Sequence, residues 1–261
     1  MTVWEIISIA VRAACSSTVG KLFWYGILAL LVWLFFYVLL RKRMHGRRVG
    51  PRDPIAGQIR REFVQSVRSI CIFGLVTMVV VLARVTGHTQ MYGRIDTYGF
   101  GWFVTSIGIM VLMHDSYFYW THRLMHHRRL YRLFHRTHHL SISPTPWAAY
   151  AFSPAEAFVQ AGIGPLIVFT IPTHPLAFSL FMLWQITFNV FGHCGYEIYP
   201  SWFMKTPLGL FLNSITHHAQ HHEKFVGNYG LYFNVWDRVM GTNHAQYEAT
   251  FNRIVKDRTA R

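Results

Sequence analysis

Four long uncharged apolar runs divide the chain, and each ends at a basic residue or a histidine. Leu22 to Leu40 is followed by Arg41-Lys42-Arg43, and Ser69 to Ala83 lies between Arg68 and Arg84. Thr97 to Met113 runs into His114-Asp115, and Ala157 to Gly192 runs into His193. Crossing a hydrocarbon layer of ~30 Å takes about 20 residues of helix, so the first three runs predict spanning helices. Arg68 and Arg84 extend the second by snorkelling to the interfaces. The fourth run is broken at Pro172-Thr173-His174-Pro175, where proline removes a backbone donor and clashes with the preceding turn. It therefore predicts two short helices folded back on each other, each marginal for a full crossing, so a re-entrant hairpin is one reading. Residues 1–21 have no basic leader and are interrupted by Arg12, which argues against a cleaved signal peptide and for a surface-lying helix.

Composition agrees with a membrane protein. Of 261 residues, 52% are hydrophobic and only 14% charged, which excludes a disordered chain. Yet the formal charge is +14, and 21 of the 25 Lys and Arg fall in residues 41–68, 114–140 and 193–261. If the runs alternate across the bilayer, these three segments share one side. The excess of basic residues marks that side as cytoplasmic, together with the C-terminus. Such a one-sided excess needs no nucleic acid to explain it. Cys15, Cys71 and Cys194 are far apart with no CxxC pair, which excludes a disulfide scaffold and a cysteine-ligated metal site.

The 16 histidines carry the chemistry. His122-Arg-Leu-Met-His126 is an HxxxH. His135-Arg-Thr-His138-His139 and His218-Ala-Gln-His221-His222 are both HxxHH, and His193 stands between them. Residues three and four apart share one face of a helix, so each motif presents imidazoles side by side. Neutral imidazole is a common ligand for iron and zinc. Nine such residues exceed what one four-coordinate zinc needs, and two adjacent metals would use them all. His114, His217 and His244 are further candidates for ligation or support, or else neighbours in a crowded region; His244 could also cap a turn. Asp115, Tyr119, His122 and His126 follow a spacing that keeps them on one face. Asp115 could accept the second N–H of a ligating imidazole, or serve only as a charge near a helix N-terminus. Isolated His45, His88 and His174 read as solvated or structural. Aromatics in the last run (Phe158, Phe169, Phe178, Phe181, Trp184) and Phe152 before it read as packing.

Together these residues resemble the fatty acid hydroxylase/sterol desaturase superfamily of integral membrane di-metal oxygenases, over roughly residues 110–245. The resemblance runs through Asp115, Tyr119-Trp120, His122, His126 and His135–His139. It continues through Phe191-Gly192-His193, His218–His222, Gly227-Asn228-Tyr229-Gly230 and Trp236-Asp237-Arg238. It implies an all-α integral membrane protein, with about four to five transmembrane or re-entrant helices and a cytosolic helical cap holding a di-metal histidine cage. Residues 1–95 would form an N-terminal membrane region and residues 96–261 the hydroxylase-like domain. The implied ligands are His122, His126, His135, His138, His139, His193, His218, His221 and His222. They would hold two irons, replaceable by zinc on purification, with O2 as co-substrate. The implied activity is hydroxylation of an unactivated C–H bond of a lipid, with desaturation of a lipid or sterol on the same site as the alternative. Several sterol-modifying members carry Asp where this chain has Ala219, which points away from a sterol.

No GxGxxG, P-loop, iron–sulfur cysteine spacing or HPGG haem segment occurs. Electrons would therefore come from a separate reductase, ferredoxin or cytochrome. A histidine-rich metal transporter is the competing class, but it calls for ionisable residues lining the spans. Here the runs carry none before His174, and the histidines gather outside them.

Overall fold

Helix formation starts at Thr2, whose hydroxyl accepts from the Glu5 N–H (3.2 Å) while the Glu5 carboxylate accepts from the Thr2 N–H (2.7 Å). This reciprocal cap satisfies two of the backbone donors that open a helix. In the computed structural model, which describes residues 1–50 and 53–256, α1 (Val3–Trp33) then runs unbroken into a π-helical turn at Leu34–Leu39. The expectation of a separate surface helix over residues 1–21 is thereby corrected. No proline interrupts the stretch, so the helix passes through Arg12 and Lys21 and reaches 37 residues with its π turn, about 55 Å at 1.5 Å per residue.

α2 (Arg41–Met44) turns the chain, α3 (Gln58–Val85) packs along α1, and α4 (Gly99–Met125) carries the third apolar run onward into the first histidine pair. α5 (Tyr131–Phe134) is a single turn. The fourth run divides as its prolines dictate. α6 (Pro154–Ala161) and α7 (Ile163–Thr170) form one arm and α8 (Pro175–Gly192) the other, with Pro175 at the first helical position and His174 capping the Leu176 N–H. α9 (Pro207–Phe211), α10 (Ile215–Lys224), α11 (Val235–Val239) and α12 (Tyr247–Lys256) build a cap joined by long loops. There is no β-strand among the described residues, only isolated bridges.

Val3–Leu39, Gln58–Val85 and Pro175–Gly192 are long and apolar enough to cross a membrane; α4 is long but not among them, and 154–170 is a shorter apolar pair. Their outward faces expose Leu30, Leu31, Leu75, Val79, Phe158 and Leu180, as helices facing hydrocarbon do. Inward, Tyr25 and Ala29 of α1 and Ile70 and Phe73 of α3 pack with Tyr150, Phe152, Val190 and Ile215 in one core. The segments 1–95 and 96–261 thus share a core, and the cap sits directly on it.

Candidate metal centre

α4 ends by presenting His122 in its last turn and His126 at its C-cap. His135 follows α5, and His138 and His139 lie on a 3₁₀ turn. α10, capped by the Ser214 hydroxyl, carries His218, His221 and His222, and His193 caps α8. These segments bring all nine predicted histidines together in two groups. His122, His126, His135, His139 and His221 form the first; His138, His193, His218 and His222 form the second. Within each group the candidate donor atoms lie within 4.8 Å of one another. Each HxxHH is split between the groups. Successive helical residues point about 100° apart, so His218 and His222 face one way and His221 the other. The groups abut, with the His138 and His222 rings 4.6 Å apart and the His139 and His222 rings 4.9 Å apart.

Hydrogen bonding at Nδ1 decides where the lone pairs go. His122 Nδ1 lies 2.8 Å from the Tyr229 carbonyl, His221 Nδ1 2.8 Å from the Gly227 carbonyl and His193 Nδ1 2.7 Å from the Asn189 carbonyl. His135 Nδ1 lies 2.6 Å from Glu156 Oε1. A carbonyl only accepts, so the Nδ1 atoms of His122, His221 and His193 carry the proton and their Nε2 is left as a bare lone pair. The Nε2 atoms nevertheless face each other: 2.9 Å for His122–His135, 3.1 Å for His126–His221, 3.0 Å for His139–His221 and 3.0 Å for His193–His218. With their protons on Nδ1, His122, His193 and His221 each turn a bare Nε2 lone pair into these groups, where a cation can meet it. Burial also holds the imidazoles neutral, pushing His221 down to about 4 and His138, His139 and His218 well below their ordinary value. Buried, neutral and convergent, the donors suit divalent metals that favour nitrogen.

The four further candidates lie elsewhere. The Asp115 carboxylate accepts the Tyr232 and Phe233 amides (2.9 and 3.1 Å), so it anchors a cap loop instead of meeting an imidazole. It shares a helix face with His122 but lies nearly two turns below it. His114 bonds the Tyr232 hydroxyl (2.8 Å). His217 faces the Asp237 carboxylate at 3.4 Å. His244 caps a turn, its ring accepting the Gln246 N–H (3.3 Å) while its own N–H donates to Asn228 (2.6 Å).

Two supporting carboxylates were not assigned a role from sequence. Glu156, fully buried, orients His135; as the third residue after the capping Ser153 it looks like an ordinary helix-opening acid. Asp237 accepts the Tyr229 and Gly230 amides (2.9 and 2.7 Å) and the Thr242 hydroxyl (2.7 Å). It thereby fixes the loop whose carbonyls hold His122 and His221. Gly230 allows the approach, since a Cβ there would lie 2.9 Å from Asp237 Oδ2.

Beneath the cage, among the membrane helices, is an apolar cavity of about 270 Å³. Phe118, Phe152 and Asn189 line it, and each touches a cage histidine. The Phe118 ring lies 5.0 Å from that of His122, the Phe152 ring 5.4 Å from that of His138, and Asn189 bonds His193. Phe152 and Phe178, read from sequence as packing, both face this space.

The family model for fatty acid hydroxylase matches residues 107–242. The Delta(7)-sterol 5(6)-desaturase ERG3B of Gibberella zeae is 36% identical over 227 residues, 87% of this chain and 66% of its own length. The Delta(7)-sterol 5(6)-desaturase erg3C of Aspergillus fumigatus is 32% identical over 240 residues, 82% of this chain and 72% of its own. Human lathosterol oxidase is 32% identical over 191 residues, 72% of this chain and 62% of its own. The chain thus spans about two thirds of the length of these relatives. No solved structure matches it.

Proposed function

The chain belongs to the fatty acid hydroxylase family, and on that premise we propose that it is a membrane-bound lipid oxidoreductase with two irons held by the nine histidines. One observation carries the reading: two convergent sets of neutral imidazoles meet above an apolar cavity whose end residues touch both sets. When bound, the iron pair would supply reduction of O2 and removal of hydrogen from an unactivated C–H bond. The chain's own part is positional. Carbonyls of Tyr229, Gly227 and Asn189 hold the Nδ1 protons and aim Nε2. Phe118 and Phe152 keep water from the space where the lipid chain would lie.

Loss of one hydrogen and gain of a hydroxyl gives an alcohol, and loss of two hydrogens gives an alkene. The names of the relatives favour the second outcome, although Ala219 departs from several sterol-modifying members. The basic residues around the cap support a cytoplasmic face for the cage and an external electron donor, since acidic carriers are drawn to such a surface. Zinc would replace iron readily in an all-imidazole cage.

Lipid extracts of cells with and without the gene are expected to differ by one added oxygen or two lost hydrogens on one lipid class. The purified iron-loaded protein, given that lipid and O2 without a reductase, is expected to turn over at most once. Identical extracts, or sustained turnover with no donor, would refute the proposal. Glu156→Ala removes the acceptor behind His135, and iron affinity is expected to fall about 10- to 100-fold, as for other partners of ligating histidines. Metal titration of the purified variant checks this, and unchanged affinity would show that Glu156 does not orient the ligand.

A further inference from the structure

Lys21 lies where a lysine is costly. Its ammonium group donates to the Ser17 hydroxyl one turn away on α1 and lies 3.4 Å from the Thr77 hydroxyl of α3. Thr77 is close to the middle of the uncharged run Ser69–Ala83, so the charge sits near mid-depth of a spanning helix. A lysine at that depth is costly, and ionisable groups kept there mark a ligand or ion path. Two neutral hydroxyls do not neutralise it, and no carboxylate pairs with it among the described residues.

The cavity supplies the rest. Lys21, Ser17 and Thr77 line the same 270 Å³ space as Phe118, Phe152 and Asn189, together with a second cation, Arg84, and no Asp or Glu. A neighbouring cavity of about 360 Å³, bounded by α1 and α8, is also lined by Lys21. The walls are mostly apolar, with Phe73, Val76, Phe178 and Met182, and the neutral polar groups Gln160 and Gln185 also face the space. α3 gives the scale. Arg68 reaches the Phe152 carbonyl (3.4 Å), and Thr77 is nine residues further along α3, or about 13 Å at 1.5 Å per residue. An uncompensated cation, a mostly apolar passage and the residues Phe118, Phe152 and Asn189 that touch the histidine cage thus line a single space.

We infer that Lys21 is the headgroup site of the lipid channel: it binds the anionic end of a long-chain amphiphile, a carboxylate or a phosphate monoester, whose apolar chain extends toward Phe118 and Phe152. The inference rests on the proposed lipid chemistry for its purpose, but binding can be read without metal, reductant or turnover. Lys21 lies outside the segment matched by the family model, so it would make the N-terminal helix part of substrate selection.

The test is equilibrium binding of tritiated oleate to the purified full-length protein in detergent, with unlabelled competitors. Oleate and oleyl phosphate are expected to compete at least about tenfold better than methyl oleate and oleyl alcohol. Which of the two anions is stronger then identifies the headgroup. Lys21→Met is expected to abolish that preference, and Lys21→Arg to keep it. Equal competition by the neutral analogues in the unmodified protein would overturn the inference, as would an intact preference in a folded Lys21→Met. The competition series on the unmodified protein decides even if Lys21→Met does not fold. Charge-selective binding with no oxidation of any lipid would count against the proposed reaction and leave the headgroup site standing.

Discussion

Replacing His138 or His221 by Ala is expected to abolish lipid oxidation, with a fall of at least about 100-fold, and to lower bound iron in both variants. The two residues probe separate groups: His221 is one of five donors in the first, His138 one of four in the second. Losing an imidazole should hurt the smaller group more, because four nitrogens leave no surplus for a four-coordinate ion. His138→Ala should therefore lose close to half of the bound iron, and His221→Ala somewhat less. Partners that only orient a ligand are worth 10- to 100-fold in affinity, which sets a floor for the ligand itself. His127→Ala is the control: its ring is exposed and belongs to neither group. Metal analysis per chain and product analysis with a reductase check the series. Full iron and full activity in both His138→Ala and His221→Ala would remove the two-iron assignment.

The histidines were legible because their spacing is local: three or four residues along one helix is a contact that sequence states directly. Their division into five and four was not, since it depends on how α4, the turn after α5, α8 and α10 converge. Asp115 shows the limit of facial periodicity. The spacing places it correctly on the face of His122, but height along the axis decides the partner, and there it meets the Tyr232 and Phe233 amides. Lys21 shows a different limit. A charge at the edge of an apolar run looks like its boundary, and only the packing of α1 on α3, with Ser17 and Thr77 around the ammonium, keeps that charge inside a longer helix. Glu156 and Asp237 act through partners 21 and 8 residues away, beyond any helical repeat.

Asp237→Asn is expected to disable the cage from outside it. In the native protein the Oδ1 atom accepts the Tyr229 amide and Thr242 hydroxyl, and Oδ2 accepts the Gly230 amide. An asparagine keeps one acceptor and turns the other into a donor facing a buried N–H. Each buried donor left unsatisfied costs roughly 1–3 kcal/mol. The loop that relaxes to relieve this is the one whose Tyr229 and Gly227 carbonyls hold His122 and His221, so the first group should lose iron before the second. The charge has its own signature. Burial alone would raise the Asp237 carboxyl, but the His217 ring 3.4 Å away, then the Thr242 hydroxyl and the Tyr229 amide, hold it down to about 2. A carboxyl held below its ordinary value of 3.8 stabilises the fold above that value. The contribution, about 2 kcal/mol, is lost as pH falls from about 4 towards 2. Thermal unfolding of the metal-free protein should therefore fall steeply over that window in the native chain and more gently in Asp237→Asn. Equal acid limbs, or unchanged iron in the variant, would show that Asp237 does not hold the loop; a low melting temperature with a native iron content would make its role one of stability alone.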